Sequence, residues 1–160
     1  MTDNDRSMLI PRLAAFMEDY ARCLDKDELE RWPGFFAEQC IYKVTTYDNM
    51  SAGYPFGLIY ADSRGMLHDR VKSLREANIY EGQRYRHIIG QPFVVQADGT
   101  EVRAETSFIV VRIMRNGETA LFATGSYRDT LKVDSEGVAL VERVVVCDSS
   151  RIDTLLALPL

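Results

Sequence analysis

Histidine and cysteine are scarce in this chain of 160 residues, which rules out several kinds of metal site. The only histidines are His68 and His87, and the three cysteines are Cys23, Cys40 and Cys147. A mononuclear iron site needs two histidines and a carboxylate, and a mixed-ligand iron–sulfur cluster needs two histidines and two cysteines. The two histidines do not have a paired-ligand spacing, and no cysteine stands two residues from a histidine. We therefore expect no metal or cofactor site in this chain.

Several other absences narrow the function further. The cysteine count is odd and includes no C-x-x-C, so we expect buried thiols rather than a disulfide framework. Neither a G-x-S-x-G turn nor a glycine-rich phosphate loop occurs, which argues against nucleophilic catalysis and against nucleotide binding. The net charge of -5 argues against a nucleic-acid-binding protein, since such proteins usually carry a basic surface.

Long hydrophobic runs are missing as well. No apolar stretch reaches the about 18 residues that a membrane-spanning helix needs, and the N-terminal MTDNDRSMLIPRL is too acidic for a secretory signal. We therefore expect a cytoplasmic protein that is not bound to a membrane. The composition, with 46% hydrophobic and 27% charged residues, is that of an ordinary globular protein, and we expect a single domain over residues 1–160.

The first part of the chain shows helical periodicity. Apolar residues recur at three- and four-residue steps from Leu9 to Leu24, which predicts an amphipathic helix. Pro11 is tolerated only near a helix start, so we expect the helix to begin around residues 7 to 10. A second short helix is predicted at DKDELERW, where Asp25 or Asp27 can accept hydrogen bonds from the first turn.

A strand, a loop and a third helix are predicted next. Residues 40–48 are β-branched and aromatic, which predicts a strand, and MSAGYPFG is typical of a loop. Residues 58–62 favour a short strand. From Ser63 the apolar residues again share one helical face, and this helix is predicted to end near Asn78.

The second half of the chain is predicted to consist of long strands joined by tight turns. The turns ADGT, RNGE and DSEG contain residues that adopt positive φ readily, which favours hairpins. We expect the strands to bend at Gly90 and Gly125, because they are longer than usual. The four predicted strands are Arg84–Ala97, Glu101–Arg115, Glu118–Val133 and Val138–Asp148.

This order of elements predicts an α+β fold in which a strongly bent, mainly antiparallel sheet wraps around about three N-terminal helices. Helices that follow one another in this way can bury their apolar faces only against one side of the sheet. The arrangement resembles the nuclear-transport-factor-like (cystatin-like) cone. That fold hosts isomerases, dehydratases, transport factors and non-catalytic subunits, so it does not define a function by itself.

The stretch YRHIIGQPFVV raises the question of what His87 does. Without a bulge, Tyr85, His87, Ile89, Phe93 and Val95 point to one face of the strand. Both faces are largely apolar from Ile88 onward, and only one of them can be covered by the protein's own helices. The second apolar face therefore needs another partner. This pattern favours His87 as a structural or interface residue.

Acid–base catalysis is the main alternative for this histidine. A conical cavity can raise the pKa of a carboxyl group or pair that group with histidine. The residues that could take part are Tyr47, Asp48, Asp62, His87 and Asp148. A stand-alone isomerase or dehydratase would combine His87 with Asp48 or Asp62. A small-ligand-binding module of the same fold would instead have an open apolar cavity.

The leucine-rich C-terminal segment is a further unusual feature, because chain termini are usually polar and frayed. Leu155, Leu156, Leu158 and Leu160 make this segment strongly apolar. We expect it to dock, either on its own domain or on a neighbouring chain.

Four segments, taken in order, carry a resemblance to a known family. They are ELERWPGFFAEQCIYKVTTYDN, ADSRGMLHDRVKSLREANIY, YRHIIGQPFVV and VERVVVCDSSRIDTLLALPL. Together they cover nearly the whole chain, which resembles the small (beta) subunit of bacterial aromatic-ring-hydroxylating dioxygenases. Within that family it looks most similar to subunits of oxygenases that act on aromatic carboxylates, such as terephthalate, anthranilate, salicylate or benzoate.

The resemblance implies a role without catalysis in this chain. In this family the large (alpha) subunit carries the Rieske [2Fe–2S] cluster and the mononuclear Fe(II), and the small subunit has no cofactor. Three subunits of each kind form a hexamer, in which the small subunits associate as a trimer. A separate reductase supplies electrons from NADH or NADPH. We accordingly expect no catalytic, cofactor-binding or metal-binding residue in this chain.

The resemblance also suggests where this chain contacts its neighbours. One short basic and aromatic motif of the family matches Arg84, Tyr85, Arg86 and His87. We expect these residues at or near a subunit contact, or anchoring their strand inside the cone. Arginine suits interface ion pairs because its planar fork can hold a carboxylate through two hydrogen bonds.

Overall fold

The computed structural model describes residues 3–55, 57–76, 82–151, 156 and 158–160, with side chains described from residue 7 onward. Three α-helices lie in these ranges: α1 (Asp3–Asp25), α2 (Tyr47–Ser51) and α3 (Arg64–Glu76). The seven strands are β1 (Phe36–Thr46), β2 (Ile59–Ala61), β3 (Gln83–Ile89), β4 (Phe93–Asp98), β5 (Glu101–Met114), β6 (Thr119–Val133) and β7 (Val138–Cys147). A 3₁₀ turn, Trp32–Phe35, precedes β1.

All seven strands form one open sheet in the order β2-β1-β7-β6-β5-β3, and β4 pairs with the other half of β5. Only the β1–β7 pair is parallel, while every other pair among the described strands is antiparallel. Helix α1 packs on β3 and β7, and α3 packs on β1. The predicted α+β cone, with helices inside a mainly antiparallel sheet, is confirmed.

Helix α1 begins earlier than predicted, because it runs from Asp3 through Pro11 to Asp25. Proline inside a helix costs about 3 kcal/mol, since its ring removes a hydrogen bond and crowds the preceding turn. Beyond the proline, Leu13, Met17 and Tyr20 are fully buried. Before the proline, Leu9 and Ile10 also pack against the core, and this burial offsets the local cost of extending the helix across Pro11.

The second predicted helix, at DKDELERW, is absent. Helix α1 ends at Asp25, and Asp27 adopts a left-handed conformation with φ of 59°, which stops helical hydrogen bonding. Neither aspartate therefore caps a helix. A short helix forms instead at Tyr47–Ser51, where a strand end and a loop were predicted, and the Thr46 hydroxyl accepts a hydrogen bond from the Asn49 N–H at 3.2 Å.

The predicted long strand Arg84–Ala97 is two strands, β3 and β4, which pair with successive parts of β5. Residues 90–92 belong to neither strand, although the Gly90 N–H still donates to the Ser107 carbonyl at 2.8 Å, so one of the two predicted bends coincides with this break. The alternation of faces restarts there, because Val94 is buried whereas Phe93 and Val95 are exposed. The prediction that Phe93 and Val95 share the face of His87 is therefore wrong.

The apolar C-terminal segment docks on its own domain. Leu156, Leu158 and Leu160 are buried in the core. The Leu160 carbonyl accepts hydrogen bonds from the hydroxyl groups of Tyr20, at 2.9 Å, and Tyr42, at 3.3 Å. Leu155 and the predicted helix end at Asn78 lie outside the described residues.

Candidate functional site

His87 ties the edge strand β3 to helix α1. Its backbone N–H donates to both carboxylate oxygens of Asp25, at 3.0 and 3.1 Å, and its ring Nδ1 lies 2.7 Å from Asp25 Oδ1. Both side chains are almost completely buried. An edge strand exposes backbone donors that can pair with a foreign strand, and Asp25 occupies one of them here. The geometry is that of an anchor between two elements.

The other ring nitrogen of His87, Nε2, is buried and has no hydrogen-bond partner within the described part of the chain. A shallow groove of about 460 Å³ runs beside the pair, between α1 and the end of β3. Its walls include Ala14, Glu18 and Gln91. None of the other acid–base candidates, Tyr47, Asp48, Asp62 and Asp148, lines this groove.

Those other candidates are dispersed over the protein. Asp62 follows β2, at the opposite edge of the sheet from β3, and Asp48 lies in α2. Asp148 accepts a hydrogen bond from the Thr124 hydroxyl at 2.8 Å. Tyr47 is exposed. The structure therefore does not bring His87 together with Asp48 or Asp62, and the partner it does provide, Asp25, was predicted only as a helix cap.

A buried ion pair lies in the interior of the cone. Arg143 Nε and Nη2 each donate to one carboxylate oxygen of Asp129 at 2.8 Å. The guanidinium is held between the rings of Tyr20 and Tyr127, at 4.1 Å from each ring centre. Cation–π contacts of this kind gain strength when they are removed from water. Both charged side chains are fully buried.

The rest of the interior is packed with aromatic rings. Trp32 Nε1 donates to the Tyr20 hydroxyl at 2.9 Å, and that hydroxyl donates in turn to the Leu160 carbonyl. Trp32 also makes edge contacts with Phe36 and Tyr42, with ring centres 5.6 and 5.0 Å apart. The C-terminal segment thus closes a chain of hydrogen bonds inside the cone.

Burial suppresses ionisation of these interior groups. Desolvation raises the pKa of the Tyr20, Tyr42 and Tyr127 hydroxyls, so all three remain protonated. Desolvation also raises the pKa of the Asp129 carboxyl, and the adjacent Arg143 guanidinium opposes that shift. None of these hydroxyls is therefore tuned to exchange protons near neutral pH, as a general acid or base must.

The cysteines and histidines do not form a metal site in the described residues. Burial raises the pKa of the Cys23 and Cys147 thiols to about 11, so both are protonated and unreactive at neutral pH. His68 is exposed on α3, whereas His87 is buried on β3. Within the described ranges no three His, Cys, Asp or Glu side chains are placed to hold an ion.

The four residues of the basic strand motif, Arg84, Tyr85, Arg86 and His87, point alternately to the two faces of β3. Tyr85 and His87 point into the cone and are buried, while Arg84 and Arg86 point outward and are exposed. Tyr85 stacks on Phe122 with ring centres 5.0 Å apart. The two inward residues therefore anchor β3, and the two outward residues belong to the uncovered face of the sheet.

Asp25, Asp129 and Arg143 are the polar residues that sequence reasoning missed. The sequence does point to Arg143, because it precedes Val145 and Cys147 by two and four residues and therefore lies on the same face of the strand. It is the charged residue on that buried face. Its partner Asp129 lies directly opposite on β6. No such pattern points from Asp25 to His87, which is 62 residues away.

Fold and interior together define a cone domain with a buried Arg143–Asp129 ion pair inside it and exposed apolar side chains on the outer sheet face. The family model for the ring hydroxylating beta subunit matches residues 19–154. The chain is 49% identical to the beta 1 subunit of the terminal oxygenase component of terephthalate 1,2-dioxygenase from Comamonas sp., covering 93% of this chain and 97% of that subunit. It is 42% identical to the anthranilate 1,2-dioxygenase small subunit of Burkholderia cepacia, with 88% of each covered.

A solved structure agrees with these relatives. The beta subunit of a candidate aromatic-ring-hydroxylating dioxygenase from Novosphingobium aromaticivorans superposes with a TM-score of 0.89 at 37% identity, covering 97% of this chain and 99% of that one. The chain therefore belongs to the beta-subunit family of ring-hydroxylating dioxygenases. It is a subunit of an oxidoreductase complex that also contains a large oxygenase subunit. In the described residues no helix is long and apolar enough to cross a membrane.

Proposed function

We propose that this chain is the non-catalytic, structural small subunit of a Rieske non-heme iron oxygenase. The observation that carries the proposal is the Arg143–Asp129 pair inside the cone, which is fully buried between two tyrosine rings and therefore offers no reachable acid–base group. The dispersed positions of the acid–base candidates support the same conclusion. A stand-alone isomerase or dehydratase would need His87 beside Asp48 or Asp62 in a reachable pocket, and neither aspartate lines the groove beside His87.

The iron centres belong, in this proposal, to the large subunit. Neither the Rieske [2Fe–2S] cluster nor the mononuclear Fe(II) fits the donors described here, since no three His, Cys, Asp or Glu side chains of the described ranges are placed to hold an ion. A NAD(P)H-dependent reductase would deliver electrons to those centres, and the complex would work in the cytoplasm. The small subunit supplies a rigid support for the large one.

The substrate of the complex is proposed to be an aromatic carboxylate. This rests on the two named relatives, whose complexes act on terephthalate and anthranilate and which share 49% and 42% of the aligned residues with this chain. The aromatic ring of the substrate would bind in the large subunit. The proposed substrate class therefore rests on sequence similarity to these relatives rather than on a pocket of this chain.

The assembly is proposed to contain three large and three small subunits, with the small subunits in contact as a trimer. Arg84 and Arg86 support a contact surface at β3, because they extend from the outer face while Tyr85 and His87 hold the strand in place. Exposed apolar side chains beside them, Ile88 and Ile109, support the same surface. Contiguous apolar surface of this kind marks interaction sites.

Co-expression with the large subunit encoded in the same source cell tests the proposal. We expect an affinity tag on this chain to capture the large subunit in equal amounts, and native mass spectrometry to show a three-plus-three complex. Iron and labile sulfide should remain with the large subunit after the two are separated. Added reductase and NADH should then support hydroxylation of terephthalate, anthranilate or benzoate.

The separated small subunit provides the control. It should bind less than a tenth of an equivalent of iron and should turn over none of these acids. If this chain purifies as a stable homodimer that ignores the large subunit, or retains iron by itself, the proposed function is wrong.

A further inference from the structure

The C-terminal segment lies inside the cone without belonging to a helix or a strand. Its described residues, Leu156, Leu158, Pro159 and Leu160, are called the tail from here on, and all four are buried. Among the described residues, no backbone–backbone hydrogen bond joins the tail to the rest of the chain. Segments with few backbone hydrogen bonds open at a lower free energy than the whole domain. The tail is therefore held by side chains of the cone alone.

Side chains of three different elements hold the tail backbone. The hydroxyls of Tyr20 on α1 and Tyr42 on β1 donate to the Leu160 carbonyl at 2.9 and 3.3 Å. The Tyr42 hydroxyl also accepts from the Leu160 N–H at 3.1 Å. On α3, Arg70 Nη2 donates to the Leu156 carbonyl at 3.1 Å. The cone thus presents three donors, one of them a cation, to two neutral carbonyl oxygens.

The Arg70 cation is poorly matched by these neutral acceptors. Its Nε is buried without a hydrogen-bond partner, and the guanidinium forms no ion pair within the ranges the structure describes. Desolvation raises the pKa of the Tyr42 hydroxyl, and the Arg70 guanidinium is among the groups that oppose this shift, so the two lie close together. A carboxylate can accept two hydrogen bonds from a guanidinium and also neutralises its charge. The donors under the tail therefore fit a carboxylate better than they fit a backbone carbonyl.

The walls around the tail are apolar and aromatic. Trp32, Phe36 and Tyr42 meet edge to face with ring centres 5.0 to 5.8 Å apart, and they share one buried cluster with the tail leucines. A cavity of about 20 Å³ remains beside Leu156 and Leu160, which is room for roughly one water molecule. Apolar walls with a few converging polar groups are typical of small-molecule sites.

We propose that the tail covers a carboxylate-binding site, and that a monocarboxylate with an aromatic ring or a short aliphatic chain displaces it. The carboxylate accepts hydrogen bonds from Arg70 and Tyr42, and the apolar body takes the place of the leucine side chains. The tail is a built-in competitor, so the apparent affinity for the acid falls with the fraction of chains in which the tail is docked. This site goes beyond the proposed function, because it lies in the small subunit and involves no chemical step.

Hydrogen exchange followed by mass spectrometry tests the proposal, on the free full chain and on its complex with the large subunit. Benzoate and octanoate should each accelerate exchange of the tail peptide at least fivefold, with a half-effect concentration of about 1 mM. Benzamide and octanamide should have no effect, because they lack the charge that the guanidinium requires. Displacement of the tail, unlike adsorption of an acid to the surface, increases exchange inside the cone.

Two substitutions separate ligand binding from a merely structural role. Arg70→Met removes the cation, so it should raise the basal exchange of the tail and abolish the further response to both acids. Lys72→Met is the matched control, because it removes a positive charge from the exposed side of the same helix and should respond as wild type does. Leu158→Ala weakens the competing tail, so it should lower the half-effect concentration at least threefold while circular dichroism shows a folded chain.

The proposal is overturned if both acids leave exchange of the tail unchanged up to about 10 mM, or if the amides act as strongly as the acids. It is also overturned if Lys72→Met loses the response as Arg70→Met does. Should Arg70→Met fail to fold, Leu158→Ala decides, because an unchanged half-effect concentration in that variant excludes competition. Failure of the chain to bind the large subunit would refute the proposed function alone, since the free chain carries the same test.

Discussion

At the scale of single residues, the pair of His87 and Asp25 shows how a rare histidine can be structural. One carboxylate accepts both the backbone N–H and the ring of His87, so a single side chain on α1 satisfies two donors of an edge strand. A catalytic pair would need access to substrate, whereas this one is buried with Nε2 unpartnered among the described atoms. The pair therefore contributes to the attachment of β3 to α1.

Removal of the carboxylate should destabilise the chain. Asp25→Ala leaves two buried donors without an acceptor, so we expect the free energy of unfolding to fall by roughly 2–4 kcal/mol. His87→Leu removes only the ring, and the double variant should be less destabilised than the sum of the two single changes by about 1 kcal/mol or more. Urea denaturation followed by circular dichroism measures all three.

Glu18→Ala is the control for this cycle. Its carboxylate is also on α1 but is exposed, with only a 3.9 Å contact to Arg22, so its loss should change the unfolding free energy by less than about 0.5 kcal/mol. Strict additivity of Asp25→Ala and His87→Leu would show that the contact contributes nothing.

At the scale of elements, the β6–β7 contact depends on a glycine. A Cβ on Gly125 would lie 2.0 Å from the carbonyl oxygen of Val146, which is a backbone atom of the neighbouring strand. Such a contact requires the two strands to move apart. The sequence analysis predicted that the strand bends at Gly125. The close approach of β7 explains why a glycine is needed at this position.

Gly125→Ala should therefore destabilise the chain by roughly 2–4 kcal/mol in urea denaturation, because relief of the clash breaks strand packing around the buried Tyr127. Gly34→Ala is the matched control, since a Cβ there meets nothing within 4 Å. We expect a change below about 1 kcal/mol for that variant. Equal effects of the two substitutions would show that the close approach at Gly125 is not the cause.

At the scale of the whole molecule, the two faces of the sheet differ in what covers them. Helices α1 and α3 and the C-terminal segment cover the inner face, whereas the outer face exposes apolar side chains on β3, β4, β5, β6 and β7. This agrees with the prediction that a second apolar face would remain after the helices had packed. The single chain is thus a folded core that still presents surface suited to a neighbour.

Two leucines on the same strand test this difference. Leu131 is fully buried and Leu121 is 67% exposed. Leu131→Ser should lower the unfolding free energy of the free chain by roughly 3–5 kcal/mol, because it leaves a cavity and buries a hydroxyl. Leu121→Ser should change it by less than about 0.5 kcal/mol while weakening association in the complex, as seen by sedimentation velocity. A large loss for Leu121→Ser in the free chain would contradict the exposure of this face.

Local geometry explains which features could be predicted from the sequence. Side chains alternate along a strand, so the sequence determined β5, β6 and β7 nearly to their ends and separated Tyr85 and His87 from Arg84 and Arg86. The cone fold and the uncovered apolar face were predicted from the order and periodicity of the elements, whereas the family was predicted from the resemblance alone.

Only the tertiary structure decided the features that depend on register and on packing between distant segments. The partner of His87 is Asp25 because α1 crosses the edge of β3, and the interior holds a buried ion pair because the register of β6 and β7 sets Asp129 opposite Arg143. The break between β3 and β4 is likewise set by pairing with β5, which changed the face of Phe93. These choices rest on contacts between residues far apart in the chain, which no local pattern encodes.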